Sequence, residues 1–254
     1  FIQLVSDNVI ETNGITIFNP EDLYLYDGPK WSKREWTPPP LKDMFSKYLK
    51  FEKPTVVINN KCAAEWDIRA IKEVVSKYDL NTEDEQIINL PNTNQASVNH
   101  YSLPVLEKII QKLSPKYQIL YISPIIDNET YFVDKQATIP FDDFSFLEQN
   151  YPDVFTIKTF LNETDLTSSF NIAQFMMEAT SDKHLTTIGG NAKISSYFGG
   201  DVLVYISEIW KKGHPKGRRE IWKSGSWLKH LSNANIVSLD SYDNILNYIE
   251  DNWL

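Results

Sequence analysis

The sequence predicts an α/β protein built on a doubly wound parallel sheet, and three observations carry that expectation. From Lys53 onward, short apolar runs alternate with helical patterns several times over. The apolar runs are hydrophobic at successive positions, as strands buried on both faces are. Strands and helices alternating in this way form one sheet with helices on each side.

The elements follow in order. "PTVVINNK" reads as the first strand, and "SLPVLEKIIQKLS" as an amphipathic helix with Leu103, Leu106, Ile109, Ile110 and Leu113 on one face. "YQILYISP" is the next strand, "FDDFSFLEQNY" a helix and "VFTIKTFL" a third strand. "NIAQFMMEATS" is a helix, "KHLTTIG" a fourth strand, "NAKISSYFG" a helix and "DVLVYIS" a fifth strand. The chain closes with "NIVSL" and the helix "YDNILNYIEDNW". Residues 1–53 read differently: "LYLYDGPKWSKREWTPPPL" is aromatic and ends in a triple proline, and a short helix, "LKDMFSKYLKF", follows the prolines. The expected organisation is therefore an N-terminal arm or reduced lobe over 1–53 and a single sheet domain over 54–254.

Composition narrows the function classes. The chain has 254 residues, with 25 basic against 34 acidic side chains and a net charge of −9. That balance argues against a general binder of nucleic-acid backbones. No run of eighteen apolar residues and no charged-then-apolar leader occurs, so a soluble chain without an integral membrane segment is expected. Cys62 is the single cysteine and fits a reducing, cytoplasmic compartment. The chain opens on Phe1 rather than Met, as a piece of something longer would. No Ser-His-Asp order, P-loop or H-E-x-x-H is present, and none of the four histidines stands at metal-ligand spacing from another.

Four of the nine glycines fall in one stretch, "HLTTIGGNAKISSYFGGDVLVY". In open parallel sheets, ligands sit at the carboxyl ends of strands, where loops feed helix N-termini. "TTIGGNA" is such a loop: glycines let a ligand approach the backbone, and free N–H groups with the helix dipole favour a phosphate. A tight turn accounts for the same pair more plainly. Gly199 is expected to end the helix as a left-handed cap and Gly200 to turn the chain into the next strand.

That stretch, together with "VVINNKCAAEWD" and "FNIAQFMMEATSDKHLTT", resembles the nucleotide-sugar-binding half of GT-B-type glycosyltransferases, in particular viral, algal and bacterial surface-glycan enzymes. The resemblance covers residues 54 to 210. It implies a Rossmann-like domain of the GT-B C-terminal-lobe type, a nucleotide-sugar donor as substrate, a glycan hydroxyl as acceptor, and no other cofactor. By position it assigns Thr187, Gly189, Gly190 and Asn191 to the donor diphosphate. GT-B enzymes have two such lobes, and here only residues 1–53 precede the sheet.

Other residues are candidates on their own chemistry. Asn59, Asn60 and Lys61 emerge at the ligand edge of the first strand, where amides can bind hydroxyls or backbone groups and an ammonium can neutralise phosphate. A solvated loop lysine and asparagines of a turn fit the same stretch. Glu65 and Asp67 bracket Trp66 and are candidate general bases for an acceptor hydroxyl, although each also reads as a solvated surface acid. Asn171 fits a helix cap, and Gln174, one turn on, a base or ribose partner. Asn191 fits a cap as well as a donor contact. His100 and His184 fit core or rim positions. Between Ser207 and His230 lie seven basic residues and three tryptophans, which read as a solvated loop or as a flap bringing Arg218 or Arg219 to a diphosphate. No D-x-D motif appears, and helix end plus cations suffice for a metal-independent reaction. The rival reading is a non-catalytic nucleotide-binding or interaction module of a larger assembly.

Overall fold

A computed structural model of the protein describes residues 40–64, 66–82, 87–90, 92–125, 139, 141–214 and 234–254. Six strands form the main sheet: β1 (Thr55–Asn59), β5 (Gln118–Ile122), β6 (Phe155–Thr156), β7 (Lys183–Thr187), β8 (Asp201–Tyr205) and β9 (Asn235–Leu239). All neighbours pair in parallel, in the order β6-β5-β1-β7-β8-β9. Counted along the chain, the order is 3-2-1-4-5-6, a Rossmann-like doubly wound sheet. The expected parallel α/β class is what forms.

The burial of the strands explains their apolar runs. In β1, β5, β7 and β8 every residue after the first is buried. Val56, Ile58, Leu185, Leu203 and Tyr205 face one side, against α3 (Leu103–Leu113), α4 (Asp143–Asn150) and α9 (Tyr242–Asn252). Val57, Leu120 and Ile122 face the other, against α5 (Ile157–Glu163) and α6 (Phe170–Ala179). Further along that face, Val202 and Val204 meet Ala192 of α7 (Gly190–Phe198) and Trp210 of α8 (Glu208–Gly213). In α3, Leu106, Ile109, Ile110 and Leu113 are wholly buried at helical spacing. Each contributes about 1.5–3 kcal/mol over an exposed position.

Three expectations change. Of the third strand, only Phe155 and Thr156 pair with β5, and the chain then turns directly into α5. The reason is Thr156, whose Oγ1 accepts from the Thr159 N–H at 3.0 Å and so starts the helix. Neither expected cap forms: Asn191 does not cap α7, which begins at Gly190 with Gly189 in the cap position and no capping side chain, and Asn171 is the second residue of α6, whose cap position is Ser169. Gly199 does have positive φ, at 82°, but its ψ of −162° lies outside the left-handed helical region.

Between β1 and α3 the chain adds an insert: β2 (Trp66–Asp67), α2 (Ile68–Tyr78), β3 (Ile88–Asn89) and β4 (Gln95–Ser97). Its strands form a separate antiparallel sheet in the order β2-β4-β3. Ile71, Ala96 and Val98 of this insert pack with Ile188, Ala192, Ile206 and Trp210, which covers the carboxyl ends of β7 and β8. The predicted helix after the prolines is short, α1 (Leu41–Phe45). Leu41 packs with Phe175, Ala179 and Phe198, and Lys42 pairs with Asp182, so this part of the chain lies against α6 and α7. Residues 1–39 of the predicted arm lie outside the described residues.

Candidate functional site

The strand order reverses between β1 and β7, whose connections leave in opposite directions. The crevice at the carboxyl ends of two such strands is where open α/β sheets bind ligands. Asn59, Asn60 and Lys61 leave β1 there, and Thr187, Ile188, Gly189 and Gly190 leave β7. The insert walls one side through Ile188 and Ala192.

The two glycines differ. Gly189 has φ of 128°, a conformation that side chains rarely adopt, so the turn requires it. Gly190 has no positive φ, and a Cβ placed on it would meet nothing within 4 Å. Neither backbone strain nor packing explains a glycine at the first turn of a helix. Gly200 is the contrast: its φ is 73°, and a Cβ would stand 2.2 Å from the Asp182 carbonyl oxygen. Open space thus fronts the Gly189–Gly190 backbone just where the α7 N-terminus carries free N–H groups.

Beneath this loop lies a buried polar cluster. Glu178, wholly buried on α6, accepts from Asn59 Nδ2 at 3.0 Å and from Ser195 Oγ at 3.1 Å, both on Oε1. Its Oε2 lies 2.8 Å from Nδ1 of buried His184 on β7. Asn59 Oδ1 in turn accepts from Asn191 Nδ2 at 2.7 Å. One carboxylate therefore ties together β1, β7, α6 and α7.

Gln174 stands one turn above that cluster. Helix α6 ends at the amino edge, where Thr55 Oγ1 donates to the Thr180 carbonyl at 2.7 Å. It therefore descends from the carboxyl edge, as α7 does. Since Glu178 meets Ser195, one turn upward on both helices brings Gln174 level with Asn191. Gln174 is 4% exposed, and its Nε2 has no partner among the described residues. A buried amide left without an acceptor costs about 1–3 kcal/mol, so a ligand acceptor in the crevice would relieve it.

The structure thus gathers Asn59, Gln174, Gly189, Gly190 and Asn191 at one place. Thr187 closes β7 beside them, buried and paired with Tyr205. Lys61 is half-buried next to Asn60 and makes no ion pair among the described residues. Asp67 is employed elsewhere: it caps α2 by accepting from the Arg69 N–H at 2.8 Å and pairs with the Arg69 guanidinium at 2.6 Å. Those hydrogen bonds hold its carboxyl at about 2, which makes it a weak base. Glu65 and Arg218 lie outside the described residues.

Sequence reasoning missed Glu178 and Ser195. The signal was an acid inside the apolar run "FMMEA", since an unpaired charge is not buried there without partners. Asn60 has a different job. Its Oδ1 accepts from the Tyr101 N–H at 2.9 Å, and its Nδ2 donates to the Tyr101 carbonyl at 3.0 Å, joining β1 to the start of α3. Nδ2 also lies 3.1 Å from the Tyr121 hydroxyl, which donates to Asp143 Oδ2 at 2.6 Å. Burial raises the Asp143 carboxyl, and burial pushes the Cys62 thiol up to about 12, so that thiol is no nucleophile at neutral pH.

A groove of about 610 Å³ opens at the opposite, amino edge and is lined by Lys53, Lys116 and Lys183 among others. These cations are engaged: Lys53 on the Ser114 carbonyl, Lys116 on the Trp253 carbonyl and Lys183 on Asp201. They serve the fold. Among the described residues, no group of His, Cys, Asp and Glu is placed to hold a metal ion, and no helix is long and apolar enough to cross a membrane.

No family model, no curated protein and no solved structure matches the chain.

Proposed function

We propose that the chain binds the diphosphate of a nucleotide sugar in the β1–β7 crevice and transfers the glycosyl group to a hydroxyl of a glycan. The observation that carries the first half is Gly190, a glycine at the switch point that neither conformation nor packing requires. Phosphate oxygens approaching the backbone N–H groups of 189–191 supply the missing reason. The unpartnered amide of Gln174 supports it from below. The second half rests on the resemblance of the Gly-Gly loop and of "VVINNKCAAEWD" to the donor lobe of GT-B-type enzymes.

In the reaction, a bond forms between the acceptor oxygen and the anomeric carbon, the bond from that carbon to the phosphate oxygen breaks, and the hydroxyl proton of the acceptor passes to a general base, for which Glu65 is the remaining candidate. The diphosphate leaves with the electron pair. Its charge is met by the α7 N-terminus and by Lys61, with Arg218 as a further candidate, which is a route without a metal. A cytoplasmic setting fits the buried free thiol of Cys62.

One observation favours a second reading, a nucleotide-binding module without catalysis: Asp67 is committed to capping α2 and to Arg69, which removes one of the two candidate bases. Incubation with a panel of nucleotide sugars and glycan acceptors, in the presence of a chelator, separates the two. The transferase reading expects release of one nucleoside diphosphate that depends on acceptor. Binding of a nucleoside diphosphate without acceptor-dependent release favours the module, and binding of none overturns both.

A further inference from the structure

We propose that Asn191 reads a hydroxyl donor on the ligand, a ribose or sugar hydroxyl beside the diphosphate, and that Glu178 fixes it for this task. The inference rests on the nucleotide-sugar reading above and adds the polarity of one recognition contact.

Glu178 Oε1 takes two donors, Asn59 Nδ2 and Ser195 Oγ, while Oε2 shares one proton with His184 Nδ1. As the contacts stand, Oε1 accepts twice, from Asn59 and from Ser195. The nitrogen end of the Asn59 amide must therefore face Glu178. Its oxygen end then faces Asn191, and Asn191 must turn its own nitrogen inward to donate, as the 2.7 Å contact records. With Nδ2 drawn toward Asn59, Oδ1 is the acceptor of the amide left for the crevice, beside one remaining N–H.

Two amides in series thus carry the polarity of a buried carboxylate to the mouth of the crevice. An outward nitrogen there would suit a phosphate, whereas an outward carbonyl oxygen repels phosphate and accepts from a hydroxyl. The phosphates are left to the backbone N–H groups of 189–191 and to the Gln174 amide, 4% exposed and unpartnered at Nε2 among the described residues. Asn191 is in this account a specificity residue, and Glu178 a positioning residue that acts through Asn59.

The test compares three probes by titration calorimetry: a nucleoside diphosphate, its 2′,3′-dideoxy counterpart and the matching nucleotide sugar. The wild-type chain, Asn191→Ala and Glu178→Gln are each measured, with melting curves recorded alongside. Wild type is expected to favour a hydroxyl-bearing probe. The gap between the first two probes identifies a ribose hydroxyl, and a gap confined to the nucleotide sugar identifies the transferred sugar. Asn191→Ala should erase that preference, by about five- to tenfold for one hydrogen bond, while the dideoxy probe binds as before. Glu178→Gln should shrink the preference, because its amide can also turn Nε2 toward Asn59 and so reverse both amides; a preference unchanged from wild type overturns the positioning role of Glu178. A purely structural Asn191 would instead weaken all three probes together, and that result overturns the inference. So does an equal affinity of wild type for all three. A wild-type chain that binds none of the probes overturns the underlying nucleotide-sugar reading itself.

Discussion

At the scale of single residues, the decisive comparison is between glycines that the fold needs and one that it does not. Gly190 is the first residue of α7, without positive φ and with open space before it, so the backbone accepts alanine there without strain. Gly190→Ala is expected to keep or raise the melting temperature while weakening nucleoside-diphosphate binding by about ten- to a hundredfold, because a methyl group stands where phosphate meets charge-assisted N–H donors. Calorimetry and a melt on one sample read both quantities. Unchanged affinity would return the loop to a plain turn. The Gly-Gly pair was visible in the sequence, but its division of labour was not. Spacing shows two glycines alike, and only φ and the surrounding atoms tell them apart.

At the scale of elements, the joint between α7 and β8 is closely packed where the loop before α7 is open. Gly200 has φ of 73°, and a side chain would press on the backbone of Asp182 at 2.2 Å. Gly200→Ala should therefore cost about 1–3 kcal/mol from the backbone conformation alone, with the clash added. Chemical denaturation measures it, and a loss below that range would mean that the two strands part easily here. The same scale shows which elements the sequence hid. The insert strands have only two or three residues, too few to display an alternation, and α2 buries a single residue, Ile71. The third predicted strand ended early because Thr156 serves as a helix cap, a role that a β-branched residue in an apolar run does not advertise.

At the scale of the whole molecule, stability should carry a pH signature from the buried carboxyl of Asp143. Burial raises its pKa in the folded chain, so the folded state keeps a proton that the unfolded state releases. The stability that this proton provides is present below the ordinary carboxylate range and is lost as pH rises through the raised value. Urea denaturation at stepped pH should show that decline, and Asp143→Asn should flatten it; equal slopes would remove Asp143 as the source. The class of sheet, most of its strands and the loop that fronts the candidate site were legible in the residue pattern, because two-sided burial and helical spacing are local. Tertiary structure alone decided that β1 lies beside β7, and hence that Asn59 meets Glu178 and Asn191, 119 and 132 positions away. It also decided that Asp67 is a cap and Glu178 a hub. The physical reason is that a hydrogen bond depends on distance in space, and a periodic pattern fixes which face a side chain occupies but not which partner arrives there.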